Sequence, residues 1–122
     1  MHQVMEQIPL KFEGPETTVR ATGAWGGMVA VYSEFPAGTD LGPLLKGLPG
    51  GVCPCPCWGY LIKGKLRISH SSGDDEVVKA GEVFYTPPGN VMAVEEDAAI
   101  VYFSPEACIE EVLGHTLKKV GA

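Results

Sequence analysis

"GEVFYTPPGNVM", residues 81–92, is the stretch whose reading decides the fold. Val83, Phe84, Tyr85 and Thr86 are β-branched or aromatic and favour an extended chain, which Pro87, Pro88 and Gly89 then interrupt with a turn. Beyond the turn the chain becomes apolar again at Val91, Met92, Ala93 and Val94. Side chains two apart on a strand share a face, so Asn90 and Met92 point the same way.

Outward from this stretch the same grammar recurs. "MVAVYSEF" (28–35) reads as a strand ended by the turn "PAGTD" (36–40). "LGPLLKGLPGGV" (41–52) holds too many Gly and Pro residues for a continuous element and reads as a loop anchored by Leu44, Leu45 and Leu48. "WGYLIKG" and "KLRISH" read as two short strands joined at Lys63 and Gly64, followed by the polar turn "SSGDD" (71–75) and the strand "EVVKA". "VMAVEE" and "AAIVYFS" complete the series, with Glu95, Glu96 and Asp97 as a solvated turn. Closely spaced strands of this kind signal an all-β sandwich or barrel. Residues 1–23, broken at Gly14 and Pro15, include an arm strand. At the other end Ser104 is a suitable N-cap, Pro105 a suitable first helical residue, and Ile109, Val112 and Leu113 recur at helical spacing, predicting a short helix over about 105–114.

A chain of 122 residues is read as a single domain, 1–122. Its net charge of −6 and scattered basic residues predict no nucleic-acid partner. No apolar run approaches the roughly 20 residues of a membrane span, and "MHQVMEQIPLKFEG" lacks the pattern of a signal peptide, so a cytoplasmic location is expected. No Walker loop, Gly-x-Ser-x-Gly elbow or dinucleotide fingerprint is present.

Chemistry concentrates in "CPCPC", residues 53–57, which holds three of the four cysteines. Metal ligation, a disulfide, a reactive thiol and simple packing are all open for Cys53, Cys55 and Cys57. The fourth, Cys108, falls in the C-terminal helix and is expected to be core, separate from the cysteine run. Without a secretory signal, free thiols or metal ligands are favoured over a disulfide framework. His2, His70 and His115 are expected to face solvent.

The spacing of Gly81, Pro87 and Gly89 matches the second cupin motif, with Met92 at the position of its metal-binding His. Counting back from Gly64 along the first cupin motif puts Cys57 at its Glu position and Cys53 at its second His position. Over residues 28–104 the chain resembles a small single-domain cupin, close to bacterial cupins with a His before "WGY" and a "PPGH"; here those positions hold Cys57 and Asn90. The resemblance implies a double-stranded β-helix barrel with a small-molecule cavity, and a homodimer. It also implies that Cys53, Cys57 and Met92, with help from Cys55, stand where a cupin holds its metal. Sulfur donors favour Zn or Cu over Fe. The alternative is a metal-free, small-molecule-binding cupin whose apolar pocket is lined by Met92, Phe84 and Leu61, with Asn90 as the polar handle.

Overall fold

The computed structural model describes residues 1–121 of the chain. Strands β1 (Leu10–Gly14), β2 (Thr17–Ala21) and β3 (Met28–Phe35) form an antiparallel meander. A single-turn helix, α1 (Gly42–Leu45), lies within the segment expected to be a loop, which also contains a 3-10 turn at Pro49–Gly51. Two long strands follow, β4 (Cys57–His70) and β7 (Asn90–Pro105), with the short β5 (Asp75–Lys79) and β6 (Val83–Thr86) between them. Helix α2 (Glu106–Lys119) closes the chain.

The seven strands form one sheet in the order β1-β2-β3-β7-β4-β5, with β6 on β4. β7 pairs with β3 from Ala98 to Pro105, and with β4 at intervals from Asn90 to Phe103. β4 in turn accepts β6 along Cys57–Tyr60 and β5 along Lys65–Ser69. A sheet in which the long strands serve different partners along their length must curl, and its concave face carries the core.

The core has two parts. Leu61, Leu66, Ile68, Val78, Phe84 and Val94 pack at one end, while Val29, Val31, Leu45, Ile109 and Val112 pack at the other with α1 and α2. Tyr102 touches both.

The sequence reading divides at Lys63 and Gly64, where the structure has one continuous β4 containing a bulge. Buried positions are Cys57 and Leu61 before it, then Leu66 and Ile68 after it, so the inward parity switches from odd to even. An extra residue in one strand produces this switch. Gly64 adopts φ +90°, and a Cβ there would run into the Asp97 carbonyl. Gly59 is needed for another reason, because the Phe84 ring occupies the space a side chain would take.

Other expectations are also corrected. The acidic trio lies within β7: Glu95 bonds Arg67 at 2.9 Å, Glu96 pairs with Lys65 at 3.4 Å, and Asp97 Oδ1 accepts the Ala37 N–H at 2.8 Å. α2 continues through Gly114 to Lys119, with Leu113, Thr116 and Leu117 lining the cavity beneath it. Ser104 is not its cap; it is fully buried in β7. The His70 side chain is only 11% exposed, with Nε2 2.9 Å from Glu76, and His115 Nε2 lies 2.9 Å from the Lys46 carbonyl.

Gly64→Ala therefore meets both a left-handed backbone and a main-chain clash. It should destabilise the fold by about 3 kcal/mol in urea melts, whereas Gly73→Ala, at an open turn with φ +97°, should cost about 1 kcal/mol.

Candidate functional site: a sulfur-floored cavity

Between the concave sheet and α2 lies a cavity of about 350 Å³. β2 and β3 supply Val19, Ser33 and Phe35, β7 supplies Met92, Ile100 and Tyr102, and α2 supplies Val112, Leu113 and Leu117. No Asp, Glu, His, Lys or Arg lines it among the described residues. The ionisable side chains at its wall are Cys53, Cys57 and Tyr102.

The helical wall is fastened covalently. Cys55 and Cys108, 53 positions apart in sequence, form a disulfide with Cα atoms 5.7 Å apart. This overturns the expectation that Cys108 is separate from the cysteine run, and it removes Cys55 from the candidate ligands. Residues 53–57 are not a regular strand, so strand alternation does not place their side chains on one face. Cys55 turns to the helix while Cys53 and Cys57 line the cavity as free thiols. In the chain-entropy account, closing a loop of this length stabilises the folded state by about 4 kcal/mol.

The surroundings of Cys57 are specific. It opens β4 directly opposite Thr86 of β6, and its Sγ lies 3.0 Å from Ser104 Oγ. Ser104 donates to the Pro56 carbonyl at 2.7 Å, so in the neutral state the Cys57 S–H is the donor to Ser104. Thr86 is fully buried, and its hydroxyl has no hydrogen-bond partner. An unpaired buried hydroxyl is costly, and a thiolate at Cys57 would satisfy it. The neighbouring Cys53 thiol is the largest influence lowering the Cys57 pKa, with Ser104 and Thr86 adding to it against the cost of burial, and the result is a pKa of about 7. Cys53 moves the other way, far above its ordinary range, because of its hydrogen bond with Cys57 and its own burial. Ionisation of the pair therefore falls first on Cys57. Burial likewise pushes the Tyr102 hydroxyl up, with the negative charge of the thiol pair adding to the effect.

Asn90 lines the cavity at the start of β7, and its Nδ2 donates to the carbonyls of Pro87 at 3.0 Å and Cys55 at 3.4 Å. It ties the proline turn to the cysteine segment, reinforced by the Cys53 N–H bonding the Asn90 carbonyl at 2.9 Å. Phe84 and Leu61, expected as pocket lining, lie in the other part of the core. Sequence reading missed Ser104 and Thr86, and nothing in the motif spacing signals them.

This architecture invites comparison with solved structures. An RmlC-like cupin from Shewanella frigidimarina superposes with a TM-score of 0.58 at 21% identity, covering 84% of this chain and 88% of that one. The chain has the cupin fold. KdgF from a Halomonas species superposes at 0.56 with 17% identity, covering 84% and 91% of the two chains. The S161A mutant of Bacillus subtilis oxalate decarboxylase superposes at 0.59 with 17% identity, over 82% of this chain and 28% of the longer enzyme. No family model matches the sequence, and no curated protein does.

A metal is a frequent occupant of cupin barrels, but the donors present do not fit one. The usual His positions hold Met92, Asn90 and Cys53, and no group of three or more His, Cys, Asp or Glu residues converges among the described residues. Zinc takes four donors from Cys, His and carboxylate side chains, or three and a water. The cavity offers two thiols, with the Met92 thioether on the wall.

The titration of Cys57 is open to measurement. Its rate of alkylation by a small neutral reagent such as iodoacetamide should rise through a midpoint near pH 7, below the ordinary thiol value of 9.0. In Thr86→Val, which removes a donor to the thiolate and keeps the shape, that midpoint should move up by about half a unit or more.

Proposed function

We propose that this chain is a small-molecule-binding protein of cupin fold whose cavity takes one largely apolar, uncharged organic molecule. Its polar end would rest among Cys53, Cys57 and Asn90. The observation that carries this reading is the lining: aliphatic and aromatic side chains from β2, β3, β7 and α2 surround the space, and no carboxylate or cationic side chain faces it among the described residues. Burying a charged ligand without a counter-charge is strongly unfavourable, whereas an apolar ligand gains from every contact. Asn90 has committed its N–H donors to the main chain, so its side-chain oxygen is the acceptor left for a ligand hydroxyl. The thiolate-metal reading of "CPCPC" is not adopted, since one of its three sulfurs is bound to Cys108.

Titration with the neutral fluorophore N-phenyl-1-naphthylamine tests this. Saturation at one molecule per chain with a Kd of about 1–10 µM is expected for an apolar pocket of this size. Leu113→Trp, which fills the cavity from the helical wall, should weaken binding about 10-fold or more. Absence of saturable binding to the wild type would refute the reading, and metal bound in stoichiometric amount would restore the rejected one.

The partner proposed for the outer face of the sheet is a second copy of the chain. Tyr85, Trp58 and Phe103 are cross-strand neighbours on β6, β4 and β7, each more than 40% exposed, and the Trp58 and Tyr85 rings pack at a tilt of 40° with centroids 5.2 Å apart. A row of exposed aromatics is characteristic of a protein interface. Light scattering should give twice the 13.0 kDa chain mass, and Trp58→Glu should return the monomer. A cytoplasmic location, expected from the sequence, sits uneasily with the Cys55–Cys108 bond, which persists more readily in an oxidising compartment. No described helix is long and apolar enough to cross a membrane.

A further inference from the structure

The binding reading leaves one arrangement without a purpose. A ligand pocket needs neither two adjacent free thiols nor hydroxyl groups poised to stabilise a negative sulfur, yet Cys53, Cys57, Ser104 and Thr86 supply both at one end of the cavity. We propose that Cys57 and Cys53 form a dithiol centre that reduces the hydroperoxide of an apolar organic molecule held in the barrel cavity. The substrate class rests on the cavity reading above, and the dithiol chemistry rests on the sulfur geometry.

Three features assign the roles. Cys57 is the attacking sulfur, because its Sγ lies 3.0 Å from Ser104 Oγ and its strand position is directly opposite the unpartnered Thr86 hydroxyl, two groups able to donate to a thiolate. Cys53 is the resolving thiol, because it is the other free cysteine and lines the same cavity four residues before Cys57. The substrate is uncharged and apolar, because the lining offers no ionic partner among the described residues. Cys53 and Tyr102 are the ionisable groups facing Cys57, and Tyr102 remains neutral throughout.

The steps balance. The Cys57 thiolate attacks the terminal oxygen of ROOH, an S–O bond forms, the O–O bond breaks, and RO⁻ leaves. RO⁻ takes the Cys53 proton and becomes ROH, leaving Cys57 as a sulfenic acid. The Cys53 thiolate attacks the Cys57 sulfur, the S–O bond breaks, and hydroxide leaves as water with the proton Cys57 had earlier given to solvent. Two electrons pass from the sulfurs to the peroxide, and a Cys53–Cys57 disulfide remains. An external dithiol returns the pair to its starting state by exchange.

The test mixes protein purified under nitrogen, with Cys55–Cys108 intact, with one equivalent of cumene hydroperoxide. Cumyl alcohol should form with the loss of two thiols per molecule, and peptide mapping should find Cys53 joined to Cys57. Cys57→Ser should lose the reaction. Cys53→Ser should make alcohol once per chain and leave a sulfenic acid that dimedone traps. Because a serine in the core can disturb folding, Thr86→Val provides a second measurement. It should slow the reaction near pH 7 and converge on the wild-type rate well above that pH, a profile that a general structural defect would not give. Wild-type turnover in Cys57→Ser, or alcohol formed without thiol loss, would overturn the dithiol centre. Hydrogen peroxide oxidising the pair as fast as cumene hydroperoxide would overturn the apolar substrate class. Combined with a failure to bind N-phenyl-1-naphthylamine, that result would locate the error in the cavity reading and not in the sulfur chemistry.

Discussion

The constraint on which the molecule depends is the double pairing of β7. Its sixteen residues bond to β3 on one side and β4 on the other, so the strand has no free edge over its C-terminal half. Alternation then fixes what faces inward: Asn90, Met92, Val94, Ala98, Ile100, Tyr102 and Ser104 share one parity. A slip of one residue would turn all of them to the other face. The strand that holds the sheet together therefore also furnishes one wall of the cavity, and Ser104 reaches Cys57 because the β4–β7 register brings the start of β4 beside the end of β7.

The second wall is held differently. α2 buries Ile109 and Val112, but much of its inner face looks onto cavity and not onto packed side chains. A helix placed over a void loses dispersion contacts that a filled core would supply. The Cys55–Cys108 bond compensates by fixing the helix near its first turn, and His115 adds a contact to the Lys46 carbonyl one turn from its end. The helix that roofs the cavity is thus fastened covalently near its start and by a hydrogen bond near its end.

Much of this was legible in the sequence, and the failures share a physical cause. The β series, the turn at Pro87–Gly89 and the motif spacing around Gly64 were readable because each is a local property of the chain. The cupin fold follows from them. Splitting β4 at Lys63 and Gly64 failed because a bulge glycine and a turn glycine have the same local signature, and only pairing with Asp97 and Ala98 distinguishes them. Ser104 has the local chemistry of a helix cap, but burial beside Pro56 gave its hydroxyl a different partner. The Cys55–Cys108 bond joins residues 53 apart, and no local rule says which of three alternating cysteines turns toward the helix. The count that placed Cys53 and Cys57 in the barrel rested on motif spacing back from Gly64; both line the cavity, on an irregular segment and without Cys55.

What distinguishes these sulfurs is the balance between burial and hydrogen bonding. A thiol moved into an apolar cavity ordinarily becomes a weaker acid, since the charged form loses its water. Cys57 pays that desolvation and is still the stronger acid of the pair, because Cys53, Ser104 and Thr86 stand where they can replace the lost water as donors. The donors themselves favour ionisation in different ways. Cys53 gives a hydrogen bond whose proton stays on the partner sulfur, Ser104 must release the Pro56 carbonyl to turn toward the thiolate, and Thr86 gives up nothing. Of the three, the Thr86 hydroxyl therefore contributes at the least rearrangement, and an orphaned donor that would otherwise destabilise the fold becomes the group that favours charge on Cys57.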